Sequence, residues 1–373
     1  LENERHIFFL TSRDIGFGTD FSWWEFASRN VSIRVVPEFP KDTVFVLFYG
    51  GIIRSGMEVT YSDNSYPHGG FTLYLQNMEW KGFEWGGINF TVYFTPDIYS
   101  DEGFELIKEE LIFAMDLYRN MIGILPTTKF DAMFYPDFSQ AMAKRLGTKA
   151  FALNFGHVII INCPADMEDS ATNYASFIFH EVAHEWAGPY ISLDLDVHRL
   201  VEPLATFMQM EAYGKWEPDG YLRWLNDKEY TTLRYGNMRT FYESLGPTDK
   251  YTVYVLYYRG AFTLRSLRFV LGEENFSKVF RGIFEKFHTT QCKNITMFED
   301  TIEELSGKDL DWFFSEWFNS TLYPDYNVTD LSLTRGADGY ILTFTVTDAS
   351  NFTMPVPVRV YSRTGASETT GSG

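Results

Sequence analysis

Through the first 95 residues apolar and polar positions alternate in short runs, among them Val31 to Val35, Thr43 to Phe48 and Phe71 to Leu75, separated by Gly, Pro and Asn clusters. That period of two predicts an antiparallel β domain over residues 1–95. After Thr95-Pro96 the period lengthens. Phe104, Ile107, Leu111, Ile112, Met115, Leu117 and Tyr118 recur at helical spacing, and Gly123 and Pro126 close the segment. Phe130 to Phe134 and His157 to Ile161 read as strands, and from Ser170 to Leu322 the pattern is mostly helical. Thr296 and Glu299 have the spacing of a capping box opening one of those helices. From Tyr326 onward alternation returns, in Tyr340 to Val346 and Val356 to Tyr361. The pattern therefore predicts an α+β chain of three parts: an N-terminal β domain (1–95), a mixed but mostly helical domain (96–325) and a β tail (326–373). The tail is too short to close a sandwich of its own, so it packs on the preceding domain or begins a longer one.

One stretch carries the chemistry. Tyr174 to Trp186, closed by Gly188-Pro189, reads as a single buried helix containing His180-Glu181-Val182-Ala183-His184. Two His four apart share a helix face, so both imidazoles can reach one tetrahedral Zn²⁺, with Glu181 in reach of a water there. With 7 His in the chain, a chance match to this spacing is on the order of one in a hundred. The plain alternative is a pair of core histidines. An open site needs a third protein ligand, and Glu202 is the candidate. It opens the apolar stretch Glu202 to Met210, where Pro203 is tolerated because the first turn of a helix has no use for its N–H. Taken alone, Glu202 would read as a solvated first-turn acid favoured by the helix dipole. His157 and His198 are the other metal-capable residues considered, and each alone reads as a core or surface histidine.

Charge narrows the partners. With 31 Lys+Arg against 50 Asp+Glu the net charge is −19, and no basic run interrupts it, which excludes a phosphate-tracking nucleic-acid protein and disfavours anionic membranes. Apolar runs such as Val44 to Tyr49 fall far short of the roughly 20 residues that span a bilayer, so no transmembrane segment is expected. Asn-x-Ser/Thr occurs at Asn30, Asn89, Asn275, Asn294, Asn319, Asn327 and Asn351, where roughly two such triplets would arise by chance. The excess favours a secreted or cell-surface glycoprotein. In that compartment Cys163 and Cys292 could pair, yet they read equally as free buried thiols. The chain opens at Leu1 without Met and closes on a Ser/Gly/Thr tail, which reads as processing or trimming.

The motifs taken together resemble those of the aminopeptidase N and leukotriene hydrolase family, thermolysin-like zinc peptidases. His180-Glu-Val-Ala-His-Glu-Trp-Ala-Gly188 followed by Leu200-Val-Glu-Pro-Leu-Ala-Thr-Phe207 resembles the family's His-Glu-x-x-His-x-Trp-x-Gly and Leu-Asn-Glu-Gly-Phe-Ala. Leu125-Pro to Pro136-Asp137, Tyr257-Tyr-Arg-Gly-Ala261 and Trp317 to Pro324 resemble further family segments in the same order, so the likeness covers roughly residues 90–325. The resemblance implies a thermolysin-like catalytic domain with Zn²⁺ on His180, His184 and Glu202. It implies Glu181 as general base, Tyr257 as oxyanion donor with Tyr258 as the alternative, and a peptide or protein as substrate. It also implies an edge strand for that substrate, for which Ala152 to Gly156 is the candidate. Departures are visible. Seventeen residues separate His184 from Glu202 where the family usually has eighteen, Val201 and Pro203 replace Asn and Gly, and neither Gln140 to Lys144 nor Phe151 to Phe155 supplies the family's amine-holding Glu. The expected activity is that of an aminopeptidase. The alternatives are a zinc endopeptidase or an epoxide hydrolase on the same residues, and a non-catalytic zinc-binding module.

Overall fold

The computed structural model describes residues 78–136, 138–139, 151–154, 156–163, 167–235, 240–245, 251–337, 339–350, 352–362 and 365–371, together with the backbone of six strands between Thr19 and Leu75. These six are β1 (Thr19–Trp24), β2 (Val31–Val35), β3 (Val44–Leu47), β4 (Gly51–Arg54), β5 (Val59–Asp63) and β6 (Gly70–Leu75). They form an antiparallel sheet in the order β1-β6-β3-β4 and a separate β2-β5 pair. Residues 1–116 and 125–185 make one compact unit, and residues 117–124 and 186–373 a second.

The first unit is built on a five-stranded sheet. Its strands are β7 (Glu79–Trp85), β8 (Ile88–Phe94), β9 (Lys129–Tyr135), β10 (Ala152–Asn154) and β11 (Val158–Asn162), in the order β10-β11-β9-β8-β7. β8, β9 and β11 run parallel, whereas the two outer strands pair antiparallel. A parallel pair needs a crossover, and helix α1 (Asp101–Ile122) supplies it between β8 and β9. Ser100 starts α1 by accepting the Gly103 N–H on its hydroxyl at 3.0 Å, and Asp101 and Glu102 occupy the first turn where the helix dipole favours acids. The inner strands read as continuous apolar runs because both faces are covered. Val158, Ile159, Ile160 and Ile161 are fully buried, as are Phe130, Met133 and Phe134. Helix α2 (Met167–Ala183) packs on α1 through Phe179 and Phe113, whose rings lie 5.7 Å apart. Its first turn touches α1 at Gly103, where a Cβ would come 2.4 Å from the Glu168 nitrogen, so glycine is required at that crossing.

The second unit is mostly helical. It holds α3 (Val201–Trp216), α4 (Pro218–Tyr235), α5 (Phe241–Ser244), α6 (Gly260–Leu271), α7 (Glu273–Thr289), α8 (Ile295–Ser306) and α9 (Asp311–Trp317). Two hairpins follow, β12–β13 (Tyr326–Arg335 with Tyr340–Asp348) and β14–β15 (Val356–Ser362 with Gly365–Gly371). Apolar positions four apart on α7 place Phe276, Phe280 and Phe284 in one stripe, and Phe207 of α3 meets Phe276 and Phe280 at 5.4 and 5.2 Å between ring centres. Truncating such a ring to Ala costs about 3 to 5 kcal/mol. On the β12–β13 ribbon Val328 lies opposite Val346 and Leu333 opposite Leu342, and Val328, Leu331, Leu333 and Ile341 are exposed.

The capping box expected at Thr296 and Glu299 is not formed. Helix α8 starts two residues earlier, where Asn294 accepts the Met297 N–H at 2.9 Å, and Glu299 instead accepts the Tyr242 hydroxyl. An asparagine immediately before the first helical residue is the stronger cap, and it leaves Thr296 inside the first turn. The described residues do contain a capping box, at Thr240 and Glu243 on α5. Cys163 and Cys292 are both buried and form no disulfide with each other, and burial raises the Cys292 thiol to about 11.

Candidate metal centre

The histidine motif lies at the C-terminal end of α2. The surrounding Ile178, Phe179, Val182 and Ala183 are fully buried, and His180 and Glu181 are only 8% and 6% exposed. Regular helix stops at Ala183 rather than at Trp186. After the His184-Glu185 turn, Trp186–Tyr190 forms a wide, π-type turn that Ala187 and Gly188 break with non-helical dihedrals. Trp186 fixes that turn. It is fully buried, its indole N–H donates to the Ile124 carbonyl at 2.9 Å, and its ring meets Tyr118 edge-on. The Nε2 atoms of His180 and His184 are 3.1 Å apart with their rings nearly perpendicular, so both nitrogens address one point. Glu202 stands in the first turn of α3, preceded by the single 3₁₀ turn His198–Leu200. One candidate donor atom from each of His180, His184 and Glu202 falls within 4.8 Å of the others.

Two expected alternatives do not join this group. His198 is exposed and hydrogen-bonds through Nδ1 to the Leu195 carbonyl. His157 ends the loop before β11 in a left-handed conformation (φ 60°) and is bound to Glu185, its backbone N–H donating to Oε1 at 2.9 Å and its Nδ1 meeting Oε2. Burial pulls the His157 pKa down, but the hydrogen bond and charge of Glu185 outweigh it and hold it above the ordinary value. Glu185, fully buried, is a residue that motif reading passed over; its place between His184 and Trp186 was the only sequence signal. It also accepts the Asn154 amide at 3.2 Å, and that amide donates to the Glu181 carbonyl at 2.8 Å. Asn154 closes β10, which is the edge strand expected at Ala152 to Gly156; Phe155 and the Gln140 to Lys144 segment lie outside the described residues. Asn154 Oδ1 accepts the Gly156 N–H at 2.6 Å. Tyr257 sits in the π-helical segment Val253–Arg259 and is half-buried. Tyr258, its neighbour, packs edge-on against Trp224 and under the Lys228 ammonium. Among the described residues the other acid or histidine group of metal-binding spacing is Glu303, Asp309 and Asp311. There Glu303 and Asp309 already accept backbone N–H groups of Leu310 and Asp311.

The α/β core and the histidine helix define a metallopeptidase class of fold. Solved structures share the fold. A crystal structure of an M1 zinc metallopeptidase from Deinococcus radiodurans is similar at a TM-score of 0.51 and 14% identity, covering 83% of this chain and 63% of that one. The peptidase family M1 domain matches residues 105–317, more than half of the chain, and the protein belongs to that family. Among relatives, Aminopeptidase M1-D of Oryza sativa subsp. japonica is 22% identical over 221 residues, 57% of this chain and 25% of that protein. Aminopeptidase N of Streptomyces lividans is 24% identical over 260 residues, 66% and 28% respectively. Human endoplasmic reticulum aminopeptidase 2 is 23% identical over 299 residues, 77% and 29%. The chain thus spans under a third of the length of these relatives.

Proposed function

We propose that the chain is a zinc-dependent peptidase, acting as an aminopeptidase on peptide or protein substrates. In this reading residues 96–325 form a thermolysin-like catalytic domain, 1–95 an N-terminal β domain and 326–373 a β tail. The observation that carries the reading is the donor group itself, two imidazoles one helical turn apart and a carboxylate oxygen within 4.8 Å. Two His and one Glu suit zinc, and a three-ligand set leaves one coordination position for the reaction. Zinc, when bound, polarises the scissile carbonyl and makes water acidic near neutral pH. Glu181 takes the proton of the attacking water and returns it to the leaving amine. The Tyr257 hydroxyl donates to the oxyanion as its charge develops. β10, whose outer edge has no strand partner among the described residues, offers backbone N–H and C=O groups along which an extended peptide can align.

One observation favours a second reading, a zinc endopeptidase on the same residues. Within Phe151 to Phe155 the polar side chain is the neutral amide of Asn154, whose NH2 donates to the Glu181 carbonyl and Glu185 and whose oxygen accepts from Gly156, so it offers no negative charge to a substrate amine. Matched peptides with free and acetylated N-termini separate the two. An aminopeptidase loses roughly 10- to 150-fold on acetylation, the worth of a charge-assisted hydrogen bond, whereas equal cleavage at internal bonds establishes the endopeptidase. Metal analysis tests the site itself: about one zinc per chain is expected, and Glu202→Ala should release it. The triplets at Asn89, Asn319 and Asn327 are exposed, which supports a secreted or surface glycoprotein. Mass spectrometry of the protein from its native source, before and after deglycosylation, tests that.

A further inference from the structure

Arg259 takes no part in the chemistry above, yet it is fully buried two residues after Tyr257, at the end of the π-helical segment. Its Nε donates to the Trp317 carbonyl at 3.1 Å, and its Nη2 donates to the carbonyls of Ser320 and, at 3.2 Å, Leu322. The guanidinium lies 4.5 Å over the Tyr323 ring. One side chain therefore gathers the C-terminal end of α9 and the turn that follows it, where unsatisfied carbonyls and the helix dipole both favour a cation. The same turn is held from α5, since Phe241 donates its N–H to the Phe318 carbonyl at 3.0 Å and stacks on the Phe318 ring.

The next residue adds a second fixed point. A Cβ on Gly260 would lie 2.6 Å from Pro203 Cβ and 2.8 Å from the Phe241 ring, so only a bare α-carbon lets α6 begin against Pro203. Pro203 follows Glu202 directly. The short stretch from Tyr257 to Gly260 is thus pinned on one side to the 317–323 turn and on the other to the residue beside Glu202.

We propose that Arg259 is a positioning residue for Tyr257: by tying the π-helical segment to the 317–323 turn, it holds the tyrosine at a fixed offset from Glu202. This rests on Tyr257 as the oxyanion donor. The planar guanidinium fork reaches several carbonyls in fixed directions, which the single ammonium of Lys does not reproduce.

The test is a double-mutant cycle on the zinc-loaded protein, with kcat, KM, zinc content and thermal midpoint measured for Arg259→Lys, Tyr257→Phe and the pair. Arg259→Lys should keep its zinc and hold KM within about twofold while kcat falls by roughly tenfold or more. Made in the Tyr257→Phe background, the same change should alter kcat by less than about threefold, because the donor it positions is already gone. Equal losses in the two backgrounds, or no loss at all, would overturn the positioning role. Should Arg259→Lys fail to fold, Tyr323→Leu removes the ring under the guanidinium more gently and must show the same background dependence. If Tyr257→Phe itself turns over normally, the assignment of the donor falls and this inference with it, an outcome visible in the single variant before the cycle is closed.

Discussion

Glu110, in the middle of α1, is 2% exposed, and its Oε2 has no hydrogen-bond partner among the described residues. Burial first, and the neighbouring Glu109 carboxylate second, push its pKa from 4.5 to about 9. At neutral pH the folded chain therefore carries a proton on Glu110 that the unfolded chain has lost. Between the two values the unfolded state binds one proton fewer, so stability falls as pH rises, by about 1.4 kcal/mol per unit. The stabilising protonated form is fully present below pH 4.5 and is lost progressively up to about 9; by pH 7 the accumulated loss is on the order of 3 kcal/mol. Glu110→Gln keeps the shape and removes the titration. Denaturant melts of parent and variant at pH 5, 6, 7 and 8 give the difference directly, with every other group cancelling. The variant should match the parent near pH 5 and exceed it increasingly above. A difference that stays flat with pH would refute the argument, and a carbon-13 titration of the Glu110 carboxyl would locate the error.

Glu181→Gln should retain zinc by metal analysis while turnover falls by several orders of magnitude, because the amide cannot accept the water's proton. Tyr257→Phe should lower kcat by roughly 10² to 10³ with KM little changed, whereas Tyr258→Phe, whose ring packs on Trp224, should leave kcat within about threefold. Steady-state kinetics on both variants decide which tyrosine faces the substrate. Asn294→Ala should cost α8 about 1 kcal/mol in thermal melts, and Thr296→Ala much less, since Asn294 alone caps the helix.

The histidine pair was legible because helical spacing is a local rule: residues four apart share a face in any helix. The same holds for the strands. The predicted Val31 to Val35 is β2 residue for residue, and Tyr340 to Val346 falls inside β13. What sequence reading missed depended on contacts between distant segments. Nothing around Glu185 announces that Asn154 and His157, some thirty residues upstream, will converge on its carboxylate. Nor does the Thr296-to-Glu299 spacing reveal that Tyr242, 57 residues away, will claim that glutamate and leave the cap to Asn294. The end of α2 at Ala183 follows from Trp186 finding its partners at Tyr118 and Ile124, again outside any local window.

The β12–β13 ribbon bears on how the protein behaves in concentrated solution. Val328, Leu331, Leu333 and Ile341 give it an exposed apolar surface, and among the described residues it is a two-stranded sheet with both outer edges unpaired. At neutral pH a net charge of −19 keeps molecules apart by repulsion. As carboxylates protonate on acidification that repulsion fades while the ribbon's stickiness does not, so self-association should set in well before the chain unfolds. Charged substitutions on the ribbon, at Leu331 or Ile341, should widen the usable pH range.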